Sequence, residues 1–181
     1  MRARVLALAV ASLVGAVAAC APTAGDPVAS APGGLPSRGP ARTAGSVVVQ
    51  TRTELVRALG ARNLVLQDSQ APFRPPEDDT FTVAPRAVYQ VILPQAPGEG
   101  FIVVYEFPDP TSAAAAAAAQ AEYLASGPAR VQSAFGTRHV LRLVGPTVVL
   151  YSWVPEGAED PLQAEIQPAL ETLGVGVPIP S

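Results

Sequence analysis

One histidine and one serine of this 181-residue chain face each other across a predicted β-hairpin. Residues 137–143 and 147–154 are rich in β-branched and aromatic residues, and the Gly145-Pro146 pair between them suits a type II′ turn. With that turn, His139 lies opposite Ser152. A histidine beside a hydroxyl is the smallest arrangement that provides a nucleophile and its base, as in many hydrolases.

The sequence shows no further part of a hydrolase site. Catalysis also needs a group that orients the imidazole and donors for an oxyanion, and neither has a recognisable motif here. There is no Gly-x-Ser-x-Gly and no glycine-rich phosphate loop. A histidine that bonds a hydroxyl at the rim of a core is the commoner arrangement. We therefore predict no catalytic residue, and we keep a hydrolase that uses His139 and Ser152 as the least favoured alternative.

Metal and cofactor sites are not indicated either. His139 is the only histidine and Cys20 the only cysteine, so the usual zinc sites cannot be assembled. The acidic run of residues 77–79 lacks the spaced oxygen ligands of a calcium loop, and we interpret it as a solvated loop. We expect no metal and no cofactor.

The N-terminal segment is typical of an export signal. Residues 1–4 include two arginines, and residues 5–19 are apolar apart from one serine and one glycine. This run is too short to be a comfortable membrane span, and its layout matches a secretory signal peptide. The sequence therefore predicts an exported protein.

The end of that segment resembles the lipobox of bacterial lipoproteins. Val17, Ala18 and Ala19 would be the recognition residues of the signal peptidase, and Cys20 would be the lipidated residue. The resemblance implies a signal peptide over residues 1–19 and a membrane anchor of acyl chains, such as palmitate, on the cysteine. Two or more chains give the stable attachment that a single one does not. The alternative is an ordinary secretory signal with an incidental thiol.

Composition divides the remaining chain into a tether and one domain. Residues 20–46 are dominated by Ala, Pro, Gly, Ser and Thr, and they hold too few large apolar side chains to form a core. We interpret them as a lipid-anchored tether that spans on the order of 28 Å as a flexible coil. Residues 47–175 suffice for a single domain, and residues 176–181 are predicted to form a loose tail.

The charge balance argues against two classes of partner. The chain has 12 arginines, no lysine and 15 carboxylates, and its net charge is −3. An acidic chain lacks the basic footprint of a nucleic-acid-binding protein, so we expect no nucleic-acid partner. The same balance argues against electrostatic docking on anionic lipid, so the acyl chains alone would hold the protein at the membrane.

Periodicity and capping residues predict the elements of the domain. A capping box begins the first helix at Thr51, and two Asp-Pro pairs, at 109–110 and 160–161, begin the others. The result is an α+β fold, with an antiparallel β-sheet of about five strands and two to three helices packed on it. The predicted strands are 63–69, 87–93, 101–107, 137–143 and 147–154, and the predicted helices are 51–60, 109–125 and 160–173.

The predicted strands are apolar on both faces. A sheet with one wet face alternates more cleanly, so something must cover the second face: a helix of this chain, a second copy of it, or a partner. A helix on each face is an equally good interpretation. The outward side of the hairpin forms the candidate interaction face, which consists of Arg138, Val140, Val149, Tyr151 and Trp153.

Several motifs resemble a family of small uncharacterised bacterial lipoproteins. The resemblance is carried by Pro72-Phe73, by the strand end at 104–109, by the alanine-rich helix after it, and by residues 148–151. It implies a lipobox signal peptide, a low-complexity tether and one α+β domain of unknown function. It assigns no active residues.

Together these observations predict a non-enzymatic binding or interaction module outside the cytoplasm. Cys20 would anchor it to the cell membrane or the outer membrane, and its further partner would be a protein, an envelope component or a second copy as a homodimer. The alternative is a small-ligand-binding lipoprotein whose pocket lies between the sheet and the alanine-rich helix. Tyr105 and Tyr151 would line that pocket.

Overall fold

The computed structural model describes residues 45–181, so the predictions for the signal peptide, Cys20 and the tether up to residue 44 lie outside the described residues. All strands of the described chain pair antiparallel in one six-stranded sheet. The strands are β1 (Leu66–Asp68), β2 (Arg86–Val91), β3 (Phe101–Glu106), β4 (Arg138–Val144), β5 (Thr147–Trp153) and β6 (Val175–Gly176), in the order β1-β2-β3-β5-β4-β6.

Five α-helices accompany the sheet, which confirms the α+β class with one strand and two helices more than predicted. The helices are α1 (Ser46–Gly60), α2 (Asp79–Val83), α3 (Pro110–Ala125), α4 (Gly127–Gln132) and α5 (Gln163–Leu170), and a 3₁₀ turn spans Pro155–Gly157. The two shortest, α2 and α4, lie in segments for which the sequence predicts no helix.

The β4–β5 hairpin has the predicted register. Leu141 pairs with Leu150, and Val140 pairs with Tyr151. Gly145 has a φ of 56°, as the first position of a type II′ turn requires. Because proline cannot take the positive φ that a type I′ turn needs next, the Gly-Pro pair selects this turn and fixes the register.

Helices cover both faces of the sheet. On one face, α1 and α5 pack their apolar side chains against β4, β5 and β3. On the other face, α3 presents a row of buried alanines to the same three strands. Asp109 caps α3 as predicted, because its carboxylate accepts from the backbone of Thr111 and Ser112.

The candidate interaction face is therefore not exposed. Val140, Val149, Tyr151 and Trp153 are all buried in the cluster beneath α1 and α5, and of the set only Arg138 is exposed. That prediction was wrong because strand periodicity shows that a face is apolar but not which element covers it. The alternative, a helix of this chain on each face, describes the structure.

The two tyrosines that were predicted to line a pocket between the sheet and α3 do not lie on the same side of the sheet. Tyr105 belongs to the cluster under α3, whereas Tyr151 belongs to the cluster on the opposite face. Both side chains are fully buried. The two tyrosines therefore cannot line one cavity, and the buried alanines of α3 pack directly against the sheet.

Helix α1 begins five residues before the predicted capping box. Its Thr51 is buried, and the hydroxyl bonds Thr147 of β5 at 2.8 Å instead of capping a helix end. The chain enters the helix at Gly45, whose N–H donates to the Glu106 carboxylate at 2.9 Å. A Cβ at Gly45 would come within 3 Å of that carboxylate, so a larger residue at this joint would displace the Glu106 side chain.

The C-terminal segment is not the loose tail that was predicted from residue 176. Gly176 pairs with Arg142 at the edge of the sheet, and the N–H of Val177 donates to the Leu141 carbonyl at 3.0 Å. Gly174 has a φ of 39°, and a Cβ there would collide with the Leu143 carbonyl. The chain therefore reverses tightly after α5 and adds a sixth strand.

A buried carboxylate ties the proline-rich loop to the sheet. The side chain of Glu77 is only 4% exposed, and its Oε1 accepts from Arg86 and from the Tyr105 hydroxyl, both at 2.6 Å. Burial, and then the neighbouring carboxylate, raise the pKa of Tyr105, so its hydroxyl keeps the proton that it donates. The interpretation of 77–79 as a solvated run was wrong for Glu77.

Replacing this carboxylate should strongly destabilise the domain. Glu77→Ala leaves the Arg86 guanidinium and the Tyr105 hydroxyl without their partner in the interior, and we expect a loss of about 3–5 kcal/mol in the free energy of unfolding. Urea denaturation followed by circular dichroism measures it. Glu122→Ala on the exposed side of α3 is the matched control. Equal losses for both variants would contradict a structural role for Glu77.

Candidate functional site

A cleft of about 470 Å³ opens at the end of the sheet where β4 begins and β5 ends. The hairpin contributes His139, Ser152 and Trp153 to its lining. Four other segments form its walls: residues 73–76, residues 96–99 between β2 and β3, residues 132–137 from the end of α4 to β4, and residues 154–163 from the end of β5 to the start of α5. None of these walls is a strand or lies within a long helix, so the cleft is made by tertiary contacts.

The histidine and serine that the sequence analysis paired do meet in this cleft. His139 Nδ1 lies 2.7 Å from Ser152 Oγ, and the two residues are register partners in the hairpin. Burial lowers the pKa of His139 below its ordinary value. The ring is therefore neutral at pH 7, and it can both accept and donate one hydrogen bond.

This pair has no third member in the described chain. Among residues 45–181, the ring of His139 bonds no side chain other than Ser152, so no carboxylate orients it as in a triad. A lowered pKa also makes the imidazole a weaker base. Within the described residues, His139 and Ser152 therefore form a hydrogen-bonded pair at the cleft without the carboxylate of a triad.

Two buried polar side chains hold the walls of the cleft. Asp160, at the start of the α5 segment, accepts from the backbone N–H of Gln95 and of Leu162, each at 2.9 Å. Gln120 of α3 donates to the Pro76 carbonyl at 2.8 Å and accepts from the N–H of Asp78 at 2.9 Å. The segments around Gln95 and Pro76 are therefore held in place without a ligand.

Aromatic packing adds to this rigidity. Phe73 stacks on Phe101 of β3 with ring centroids 4.6 Å apart, and its neighbour Pro75 is buried. The hydroxyl of Tyr151 is buried near Gln163, and it makes no hydrogen bond of good geometry with the described residues. It is near enough to the cleft residue Gln163 for that amide to affect its pKa, although burial dominates and raises it.

Other site types have no basis in the described residues. Within residues 45–181, no three His, Cys, Asp or Glu side chains gather where they could hold a metal ion. No helix in this part of the chain has the length and apolarity needed to cross a membrane. The cleft is accordingly the site on which the functional argument rests.

Comparisons of the chain with protein-family models, curated proteins and solved structures gave no match. The resemblance to small bacterial lipoproteins therefore stays a prediction, and the geometry described above carries the argument for the domain.

The buried histidine predicts a specific pH dependence. Since the pKa of His139 is lower in the folded chain, the unfolded state binds a proton more readily, and stability should fall as the pH drops below about 6.5. His139→Gln should remove this loss between about pH 7.5 and 5, because the chain has no other histidine. Urea denaturation at each pH measures it, and identical pH profiles for the two proteins would contradict the prediction.

Proposed function

We propose that this chain is an exported, lipid-anchored, non-catalytic protein whose domain binds a ligand in the cleft around His139 and Ser152. The lipobox-like residues 17–20 support the anchor. The observation that carries the binding site is that helices cover both faces of the sheet, which leaves the open end of the sheet for recognition.

The lining of the cleft supports binding rather than catalysis. Small-molecule sites combine apolar surface with a few well-placed polar groups on rigid supports. Here Phe73 and Trp153 supply apolar surface, and the His139–Ser152 pair and Gln163 supply neutral hydrogen-bonding groups. The pinned walls reduce the entropy that a ligand must overcome on binding.

Charge narrows the class of ligand. Two carboxylates line the cleft, those of Glu99 and Glu159, and both residues are exposed. The one arginine of the lining, Arg74, already lies 3.4 Å from the Glu77 carboxylate. The cleft therefore suits a neutral or cationic ligand that has both polar and apolar parts, and it does not suit an anion.

The anchor is tested by changing one atom. In a bacterial host given a labelled fatty acid, the wild-type chain should take up label and sediment with membranes, whereas Cys20→Ser should do neither. Ala21→Ser, at the next position, keeps the sulfur and is the matched control. A labelled, membrane-bound Cys20→Ser protein would overturn the anchor, and an unlabelled wild type would favour the ordinary secretory signal.

The cleft is tested with the tryptophan that it contains. Trp153 is the only tryptophan of the chain, so its fluorescence reports occupancy of the cleft without a label. We expect at least one compound from a panel of neutral and cationic peptides and sugars to change this emission saturably and to raise the melting temperature.

A variant that fills the cleft provides the control for that experiment. Gly98 lines the cleft and has open space where a side chain would go, as does Gly60 at the end of α1. Gly98→Leu should abolish the fluorescence change, and Gly60→Leu should leave it intact. Loss in both variants, or in neither, would show that the signal comes from elsewhere.

A further inference from the structure

A second groove, of about 510 Å³, lies on the other side of residues 133–137 from the cleft. Arg130 of α4, Phe135 and Arg138 line it, together with apolar groups such as Leu124 and Ile179. The groove shares Ser133, Ala134, Thr137 and His139 with the cleft, but its two arginines and its lack of carboxylates give it a different chemistry.

Apolar side chains are unusually exposed at this groove. Phe135 is 97% exposed, and it lines the groove together with Pro180, which is exposed, and Ile179, which is half-buried. A single exposed apolar residue is ordinary, but a phenylalanine fully in water in a groove with further apolar lining forms a surface that gains free energy when it is covered. We call Arg130, Phe135 and Arg138 the basic apolar patch.

The charge of this patch is opposite to that of the chain. Arg130 and Arg138 are both exposed, and neither forms an ion pair with any carboxylate of residues 45–181. No aspartate or glutamate lines the groove. The net charge of −3, which argued against anionic lipid in the sequence analysis, therefore hides a local concentration of positive charge.

We propose that the basic apolar patch docks on the anionic phospholipid surface of the membrane that carries the anchor. Each arginine would bond a headgroup phosphate through its planar guanidinium, and Phe135 would enter the interface between headgroups and acyl chains. In a cell, the contact would form only if the chain is anchored as proposed. The affinity of the patch for lipid does not depend on the anchor.

The tether has the length that this contact requires. The chain enters α1 beside Glu106, which pairs with Thr147 at the turn end of the hairpin, and the patch lies at the other end of β4. The seven residues of β4 separate the two ends by roughly 23 Å. The tether that composition predicts, with an expected span on the order of 28 Å, would reach from that end to the bilayer while the patch faces it.

Anchoring also makes a weak contact sufficient. A basic residue near an anionic surface strengthens binding about five-fold, so two arginines alone give a modest affinity. The proposed lipid on Cys20 would hold the domain at roughly a millimolar effective concentration at its own membrane. The patch would therefore be occupied in the anchored chain even though the free domain binds vesicles weakly.

The test uses residues 21–181, which lack the lipid-bearing cysteine, and vesicles of equal parts phosphatidylglycerol and phosphatidylcholine. We expect the chain to sediment with these vesicles, to be released as ionic strength rises from about 0.05 M to about 1 M, and not to bind pure phosphatidylcholine. Arg130→Gln with Arg138→Gln should weaken binding about 25-fold, and Phe135→Ser about ten-fold.

Matched controls lie elsewhere on the exposed surface. Arg57→Gln removes an exposed arginine of α1, and Val83→Ser removes an exposed valine at the end of α2; both should leave vesicle binding unchanged. Circular dichroism checks that every variant is folded.

Three results would overturn the proposal: no sedimentation of the wild-type chain, equal binding to neutral vesicles, or binding of inorganic phosphate or an acidic peptide without vesicle binding. None of these results depends on Cys20. The vesicle experiment can therefore overturn the docking surface while the labelling experiment still supports the anchor, and the labelling experiment can overturn the anchor while vesicle binding still supports the docking surface.

Discussion

The central strands β3 and β5 must be buried on both faces, and most of the architecture follows from that requirement. Val103 and Tyr105 face α3, while Ile102 and Val104 face the layer formed by α1 and α5. A strand with apolar groups on both sides is stable only between two layers. Once both layers are in place, no sheet face is left for recognition, and the groups that can meet a ligand lie at the ends of the strands.

Local rules predicted the parts of the fold that depend on neighbours in sequence. The hairpin register follows from a Gly-Pro turn and a period of two, and it brings His139 to Ser152 with no help from the rest of the chain. Asp109 caps α3 for the same reason. In contrast, Thr51 looked like a helix cap, but a partner 96 residues away, Thr147, bonds its hydroxyl in the interior.

The walls of the cleft could not be predicted from the sequence, because hydrogen bonds between residues far apart in the chain hold them in place. Asp160 holds Gln95 across 65 positions, and Gln120 holds Pro76 across 44. No spacing rule connects such pairs. The basic apolar patch could not be predicted for a different reason. A net charge sums over the whole chain, and it does not show where two arginines with no ion pair among residues 45–181 line a groove with an exposed phenylalanine.

The joint at Gly45 has a mechanical consequence. In a chain anchored as proposed, any pull on the tether enters the domain through this residue, so the bond to Glu106 and the first turn of α1 carry the load first. Gly45 bonds Glu106 at the turn end of the hairpin, whereas the cleft lies at the opposite end, so a ligand in the cleft and the membrane anchor would pull on opposite ends of the same sheet.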